Sequence, residues 1–134
     1  MQNNNRTVKK RKKGKIIMNK QPIEITFTFF GVKYKARFFK NNYMNNNNLY
    51  IGIVTWNKEY ECWESWGDLT VNLPGMTCKL NEAFLDTNNC ASEIITALMD
   101  KGYIKPTGVK RQSGFCTYPL VEFTEEFLNG MFEE

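Results

Sequence analysis

The chain has 134 residues, with 18 basic against 14 acidic side chains, four cysteines and no histidine. That length suits one domain able to bury a core without metals or disulfides. The missing histidine excludes Ser-His and Cys-His nucleophile pairs, histidine-ligated zinc and a histidine proton shuttle, so neither an enzyme nor a cofactor is expected.

Cys62, Cys78, Cys90 and Cys116 contain no C-x-x-C pair. A structural zinc site gathers its ligands in such close pairs, so none is expected here. No secretory segment or bilayer-spanning apolar run is visible, which predicts a soluble cytoplasmic protein without a membrane partner. Its thiols should be reduced, and most of them small buried apolar groups.

The charge is unevenly placed. Residues 1–20 hold eight basic residues and no acid, while residues 21–134 hold ten against all 14 acids and sum to −4. Residues 1–20 therefore read as a basic, disordered tail ahead of one globular domain at 21–134. Within the tail, Lys9, Lys10, Arg11, Lys12 and Lys13 could serve as an arm for nucleic-acid phosphates. A solubilising extension is equally compatible with the composition. A third reading comes from codons: Lys12-Lys13-Gly14 requires a purine-rich stretch roughly ten nucleotides before the Met18 codon. That resembles a bacterial ribosome-binding site, so the expectation is a start at Met18 and a misassigned leader, to be kept out of fold reasoning.

In chain order, residues 22–40 alternate with period two. A turn at Phe30-Gly31 pairs Phe29 with Val32, Phe27 with Tyr34, Ile25 with Ala36 and Ile23 with Phe38, and sets Glu24 opposite Arg37. A one-residue slip would break every apolar match, so the register is specified. Phe30 is the weak point, because a primed turn demands positive φ there; a type I turn with a Gly31 bulge is the alternative. Residues 41–48 (NNYMNNNN) form a polar loop to which no binding role is given.

Residues 49–56 (LYIGIVTW) predict a third strand, and residues 60–73 a fourth, bulged near Gly67, with Leu69, Val71 and Leu73 on one side. Residues 83–86 make a short strand. A helix follows at about 90–101, capped by Asn88 or Asn89 and closed by Gly102. Its stripe is Ala91, Ile94, Ile95, Leu98 and Met99. Residues 103–114 read as a loop. The last strand, 115–123, carries Pro119 and is therefore expected at an edge. Thr124 then caps a short helix bearing Phe127, Leu128, Met131 and Phe132. The architecture is α+β: an antiparallel β-sheet with one main helix packed on a face and a short C-terminal helix.

Trp56, Tyr60, Trp63 and Trp66 fall within eleven residues. In a regular strand Trp63 and Trp66 take opposite faces, so one helix cannot bury them all. Core packing with one surface aromatic is the plain reading; a protein-binding hot spot or a base-stacking platform is the functional one. Glu59, Glu61, Glu64 and Asp68 surround the aromatics and favour a protein partner over nucleic acid. Trp56, Tyr60, Trp63, Glu64 and Trp66 are thus the candidate protein-binding residues. Lys33, Lys35 and Arg37 form a stripe that could contact phosphates, or simply make a solvated sheet face with Arg37 paired to Glu24. For catalysis, Cys116 and Ser113 beside Asp86, Glu122 and Lys110 lack a neighbouring base motif. Glu125-Glu126 is explained by a helix start.

Four segments, residues 69–74 (LTVNLP), 84–89 (FLDTNN), 105–108 (KPTG) and 113–123 (SGFCTYPLVEF), resemble an uncharacterised family of small proteins. Its members occur on phages, plasmids and conjugative elements of gut-type Gram-positive bacteria. No functional residue carries over. The resemblance implies a mobile-element context, in which small non-enzymatic proteins often bind host proteins. The expected function is a stoichiometric inhibitor of a host defence system, of anti-CRISPR or anti-restriction type, whose partner is a defence protein or ribonucleoprotein complex. The alternative is a nucleic-acid-binding accessory or regulatory protein that uses the tail and the Lys33-Lys35-Arg37 stripe.

Overall fold

A computed structural model describes residues 21–132. The basic run Lys9–Lys13 and the Met18 start therefore lie outside the described residues. The chain runs β1 (Glu24–Phe29), β2 (Val32–Asn42), β3 (Leu49–Asn57), β4 (Cys62–Asp68), β5 (Thr70–Val71), β6 (Glu82–Leu85), α1 (Ser92–Asp100), β7 (Ile104–Ser113), β8 (Cys116–Phe123) and α2 (Glu125–Asn129). Mostly antiparallel strands with two short helices make it α+β in class, but the strands form two sheets rather than one. The first has the order β1-β2-β3-β4 and the second β5-β6-β8-β7.

The first hairpin follows the alternation. Glu24 pairs with Arg37, Ile25 with Ala36, Phe27 with Tyr34 and Phe29 with Val32. Phe30 and Gly31 both have positive φ, at 50° and 79°, so the turn is the primed kind and the bulged alternative is not used. The ladder stops at Glu24, one pair short of Ile23–Phe38. The C-terminal segment takes that place: the Ile23 amide donates to the Gly130 carbonyl (2.8 Å) and the Phe132 amide to the Phe38 carbonyl (2.6 Å).

Between β3 and β4 the register shifts, Ile53 facing Gly67 and Val54 facing Ser65, which leaves Trp66 as the extra residue. This is the bulge expected near Gly67, and it bends the strand out of the first sheet. At the crossing, the Leu69 amide donates to Ile51, the Asp86 amide donates to the Leu69 carbonyl, and Thr70 Oγ1 accepts from the Ile51 amide. One residue thus joins both sheets. Leu69 enters the main core, while Leu73 joins a smaller cluster with Phe84 and Tyr118, against which Val71 packs, so the three do not share a side.

The main core gathers Ile25, Phe27, Ala36, Phe38, Ile51 and Ile53 from the first sheet. To these it adds Ala83, Leu85, Ile104, Val121 and Phe123 from the second sheet, Ile94 and Leu98 from α1, and Phe127 from α2. Each large side chain buried there contributes about 1.5–3 kcal/mol before entropy is counted. On α1 the apolar stripe is narrower than its sequence suggests, because Met99 is exposed and only Ile94 and Leu98 are fully enclosed.

Neither Asn88 nor Asn89 caps α1. Ala91 holds the N-cap position without a side-chain bond. Asp86 organises the preceding turn instead, its carbonyl accepting from the Cys90 amide (2.8 Å) and its carboxylate from the Asn89 amide (3.2 Å). The other end is as expected: Gly102, at φ 75°, donates to Met99, and the Tyr103 amide donates to Leu98. That 5→2, 6→1 pair is the Schellman closure. In α2, Thr124 Oγ1 accepts from the Phe127 amide at 3.2 Å.

Two expectations fail in the second sheet. Residues 104–113 are strand β7, not loop, paired with β8 on either side of an irregularity between Pro106 and Lys110. And β8 is internal over Leu120–Glu122, where β6 flanks it, rather than an edge. Pro119 sits one residue past the last β6 pair, where no ladder bond to β6 is required of it.

The polar loop has more structure than its composition suggests. Asn48 is buried; its side chain donates to the Met76 carbonyl (2.8 Å) and accepts from the Cys78 amide (3.0 Å), tying down the turn after β5. The cysteines are less buried than expected: all four are free, with Cys62 exposed and the other three partly covered.

Candidate functional site

Strand alternation assigns the sequence-predicted residues to faces. On β2, Ala36 and Phe38 point into the core, so Lys33, Lys35 and Arg37 share the outer face of the first sheet. On β3, Ile51, Ile53 and Thr55 point inward, which puts Val54 and Trp56 on the opposite face, where Val54 is itself covered. Trp56 pairs directly with Trp63, their rings meeting edge to face at 5.3 Å. The basic stripe and two of the three tryptophans therefore occupy one surface. Their proximity depends on the β2–β3 register, set across the eight-residue polar stretch 41–48, which no alternation spans.

Arg37 is the hinge between the two groups. Its Nε donates to Glu24 Oε1 at 3.0 Å, and its guanidinium lies 4.4 Å from the centre of the Trp63 ring and 5.6 Å from that of Phe132. Phe132 in turn packs on Trp63 at 5.4 Å. With its Nε on a carboxylate and its flat face on two aromatic rings, Arg37 holds the surface together. Phe132 was missed in the sequence because its apolar spacing reads as part of the terminal helix.

Beside this cluster, Thr26, Lys33, Tyr34, Lys35, Trp56 and Lys58 line a groove of about 310 Å³. Among the described residues, the lining holds three lysines and one tryptophan and no carboxylate. Lys58 is the member the sequence reading passed over. The usable signal was its i+2 spacing from Trp56, which keeps the face if the strand runs on into the turn.

The remaining candidates separate. Trp66 turns to the core side, against Phe27 (5.3 Å), Phe29 (5.3 Å) and Tyr34 (5.0 Å), so it is a packing residue at the rim of the core. Tyr60 is on the β3–β4 turn, 72% exposed, between Glu59 and Glu61. Asn57 shapes that turn, its Oδ1 accepting from the Glu59 and Tyr60 amides and its Nδ2 donating to Glu64. The acids near the tryptophans are thus drawn aside: Glu64 to Asn57, and Asp68 to the Tyr50 hydroxyl at 2.6 Å. Among the described residues, no hydrogen bond links Cys116 or Ser113 to Asp86, Glu122 or Lys110. Asp86 binds Asn89, and Glu122 accepts from Asn81.

The fold and this face define a small two-sheet antiparallel domain bearing a mixed aromatic and cationic surface. The chain belongs to the family described as Domain of unknown function (DUF4313), whose model matches residues 40–133. All four segments of the resemblance fall inside that span, as do Trp56, Lys58 and Trp63, while Lys33, Lys35 and Arg37 precede it. No curated protein and no solved structure matches the chain.

Proposed function

We propose that this chain is a non-enzymatic nucleic-acid-binding accessory or regulatory protein of a mobile genetic element. Its outer β1–β4 face takes single-stranded nucleic acid. The observation that carries the reading is the groove that Lys33, Lys35 and Lys58 line together with Trp56, with no carboxylate among its described lining residues. A base stacked on an indole contributes about 1–3 kcal/mol, whatever the base, and lysines lining the same groove track the phosphates. The local arrangement outweighs the domain's overall acidity, because charges beyond about 10 Å are screened at ordinary salt.

The test is fluorescence anisotropy of a labelled oligothymidine with the full chain, compared with Lys33→Glu/Lys35→Glu and Trp56→Ala variants. Binding should weaken about tenfold for each variant, and the double lysine variant should flatten the salt dependence by roughly 1.4 in log–log slope. Wild-type affinity in both variants refutes the reading.

A second reading is supported by the β3–β4 turn. Tyr60, exposed and flanked by Glu59 and Glu61, has the form of a hot spot for a basic protein surface. On this reading the chain inhibits a host defence system, of anti-CRISPR or anti-restriction type, by binding a defence protein or ribonucleoprotein complex in the bacterial cytoplasm. Loss of inhibition in plaque assays with Tyr60→Ala, but not with Lys33→Glu/Lys35→Glu, supports it over the first.

A further inference from the structure

The β7–β8 hairpin has a shape that the outer face of the first sheet does not explain. Beyond the Phe84–Leu120 pair, the last with β6, it continues as a two-stranded ribbon, closing with Lys110–Pro119, Arg111–Tyr118, Gln112–Thr117 and Ser113–Cys116, with Tyr118 and Cys116 packed on the Leu73–Phe84 cluster. At about 3.3 Å per residue this ribbon extends roughly 13 Å past its neighbour. Gly114, at φ 63°, takes the first central position of the two-residue turn, as a primed turn with one positive φ requires. Gln112 Nε2 donates to the Gly114 carbonyl at 3.2 Å and braces the tip. Phe115 is thereby held out at the apex, 106% exposed, with no apolar neighbour to explain it.

Past Lys105–Glu122, the one opposite-charge pair at its base, the hairpin's charge has one sign. From Lys101 to Val121 there are Lys101, Lys105, Lys110 and Arg111, and no acid. Lys105 through Gln112 are all exposed. Pairing with another strand is blocked on the free edge: Pro106, two lysines and the irregularity between Pro106 and Lys110 are the devices that defend an edge. Thr107 fills that irregularity, its Oγ1 donating to Leu120 and accepting from the Val109 amide. A second copy or an extended peptide added along β7 is therefore disfavoured. What remains is a stiff cationic ribbon of groove-compatible width with an apolar tip.

We infer that this hairpin is a contact for double-stranded nucleic acid: Lys110 and Arg111 bind phosphates flanking a groove, and Phe115 enters it as a wedge between base steps. Apolar wedges of this kind partly unstack a step and kink the duplex by about 20–90°. This surface is separate from the single-strand face and does not rest on it.

The experiment uses the full chain and a mixed-sequence DNA duplex of about two helical turns, labelled at both ends. Anisotropy reads affinity, and energy transfer between the ends reads bending. Lys110→Glu/Arg111→Glu should weaken duplex binding about tenfold or more and flatten its salt slope by about 1.8, leaving oligothymidine binding unchanged. Phe115→Ser should abolish the increase in energy transfer while lowering affinity only a few-fold. Both variants alter exposed positions, so each should keep the wild-type circular dichroism. Wild-type duplex affinity in the double variant, or undiminished bending with Phe115→Ser, overturns the inference. So does a full chain that binds a host protein but no duplex. Duplex binding without oligothymidine binding supports this inference and refutes the single-strand reading, so the two can fail separately.

Discussion

Phe30→Asn should stabilise the protein. Phe30 occupies the first central position of the β1–β2 turn at φ 50°, followed by Gly31 at φ 79°. A left-handed backbone costs an ordinary L-residue roughly 1–2 kcal/mol, a cost that asparagine largely escapes through its local hydrogen bonds. Against this stands the edge contact of Phe30 with Phe29, at 4.5 Å between ring centres. With Phe30 89% exposed, that contact is at the weak end of aromatic pairs, about 0.5 kcal/mol. The difference leaves about 0.5–1.5 kcal/mol in favour of the variant, which for a domain of this size raises Tm by about 2–6 °C. Scanning calorimetry and urea titration measure it. Phe30→Val makes the opposite prediction, because a branched side chain suits a left-handed position worst; it should lose about 1 kcal/mol. An Asn variant that melts no higher than wild type, or a Val variant that melts higher, refutes the reasoning that the turn is strained.

Two further predictions concern packing and pH. A Cβ on Gly52 would lie 2.3 Å from Phe39 Cζ and 2.7 Å from the Tyr50 hydroxyl, so Gly52→Ala should cost about 1–3 kcal/mol by urea titration. Adding Phe39→Ala should recover part of that cost, and strict additivity would show that the ring is not the obstacle. Burial, with Asp86 and Asp68 nearby, pushes the Cys90 thiol up from 9.0 to about 12. Below pH 9 both folded and unfolded chains keep this proton; above it the unfolded chain releases it first. Stability should therefore fall between pH 9 and about 12, by up to about 1.4 kcal/mol per pH unit for each group held back, and Cys90→Ala should reduce that slope. Equal slopes in urea titrations at pH 8 to 11 would count against it.

The first hairpin was legible because every residue of it obeys one period, and because a slip would have exposed Ile25, Phe27 and Ala36 together. The bulge was legible from Gly67, and the caps of α2 and the far end of α1 from Thr124 and Gly102. Strand β7 was not, for a physical reason. Exposed on both faces, it has no apolar alternation, and Pro106 and Gly108 imitate a loop. The division into two sheets turns on a single residue, Leu69, which looks in sequence like any other strand position. The groove was half legible. Its residue types stood out, but Trp56 meets Lys33 and Lys35 only through the β2–β3 register, closed at the loop where the Tyr43 amide donates to the Asn48 carbonyl. The acids close in sequence to the tryptophans misled, since Asn57 and Tyr50 draw Glu64 and Asp68 away from it.

The C-terminal segment that replaces the missing Ile23–Phe38 pair also sets the order in which the molecule can be finished. Strands β1 to β3 are contiguous and emerge from the ribosome first, and their hairpins can close on local contacts. Beside Phe38, however, the carbonyl that accepts from Phe132 has no partner until residue 132 has been made. The earliest sheet thus waits, with an open stretch of edge, for a segment that follows all eight strands. Removing Met131 and Phe132 would leave that seam permanently open and uncover Arg37 and Trp63 in the same step.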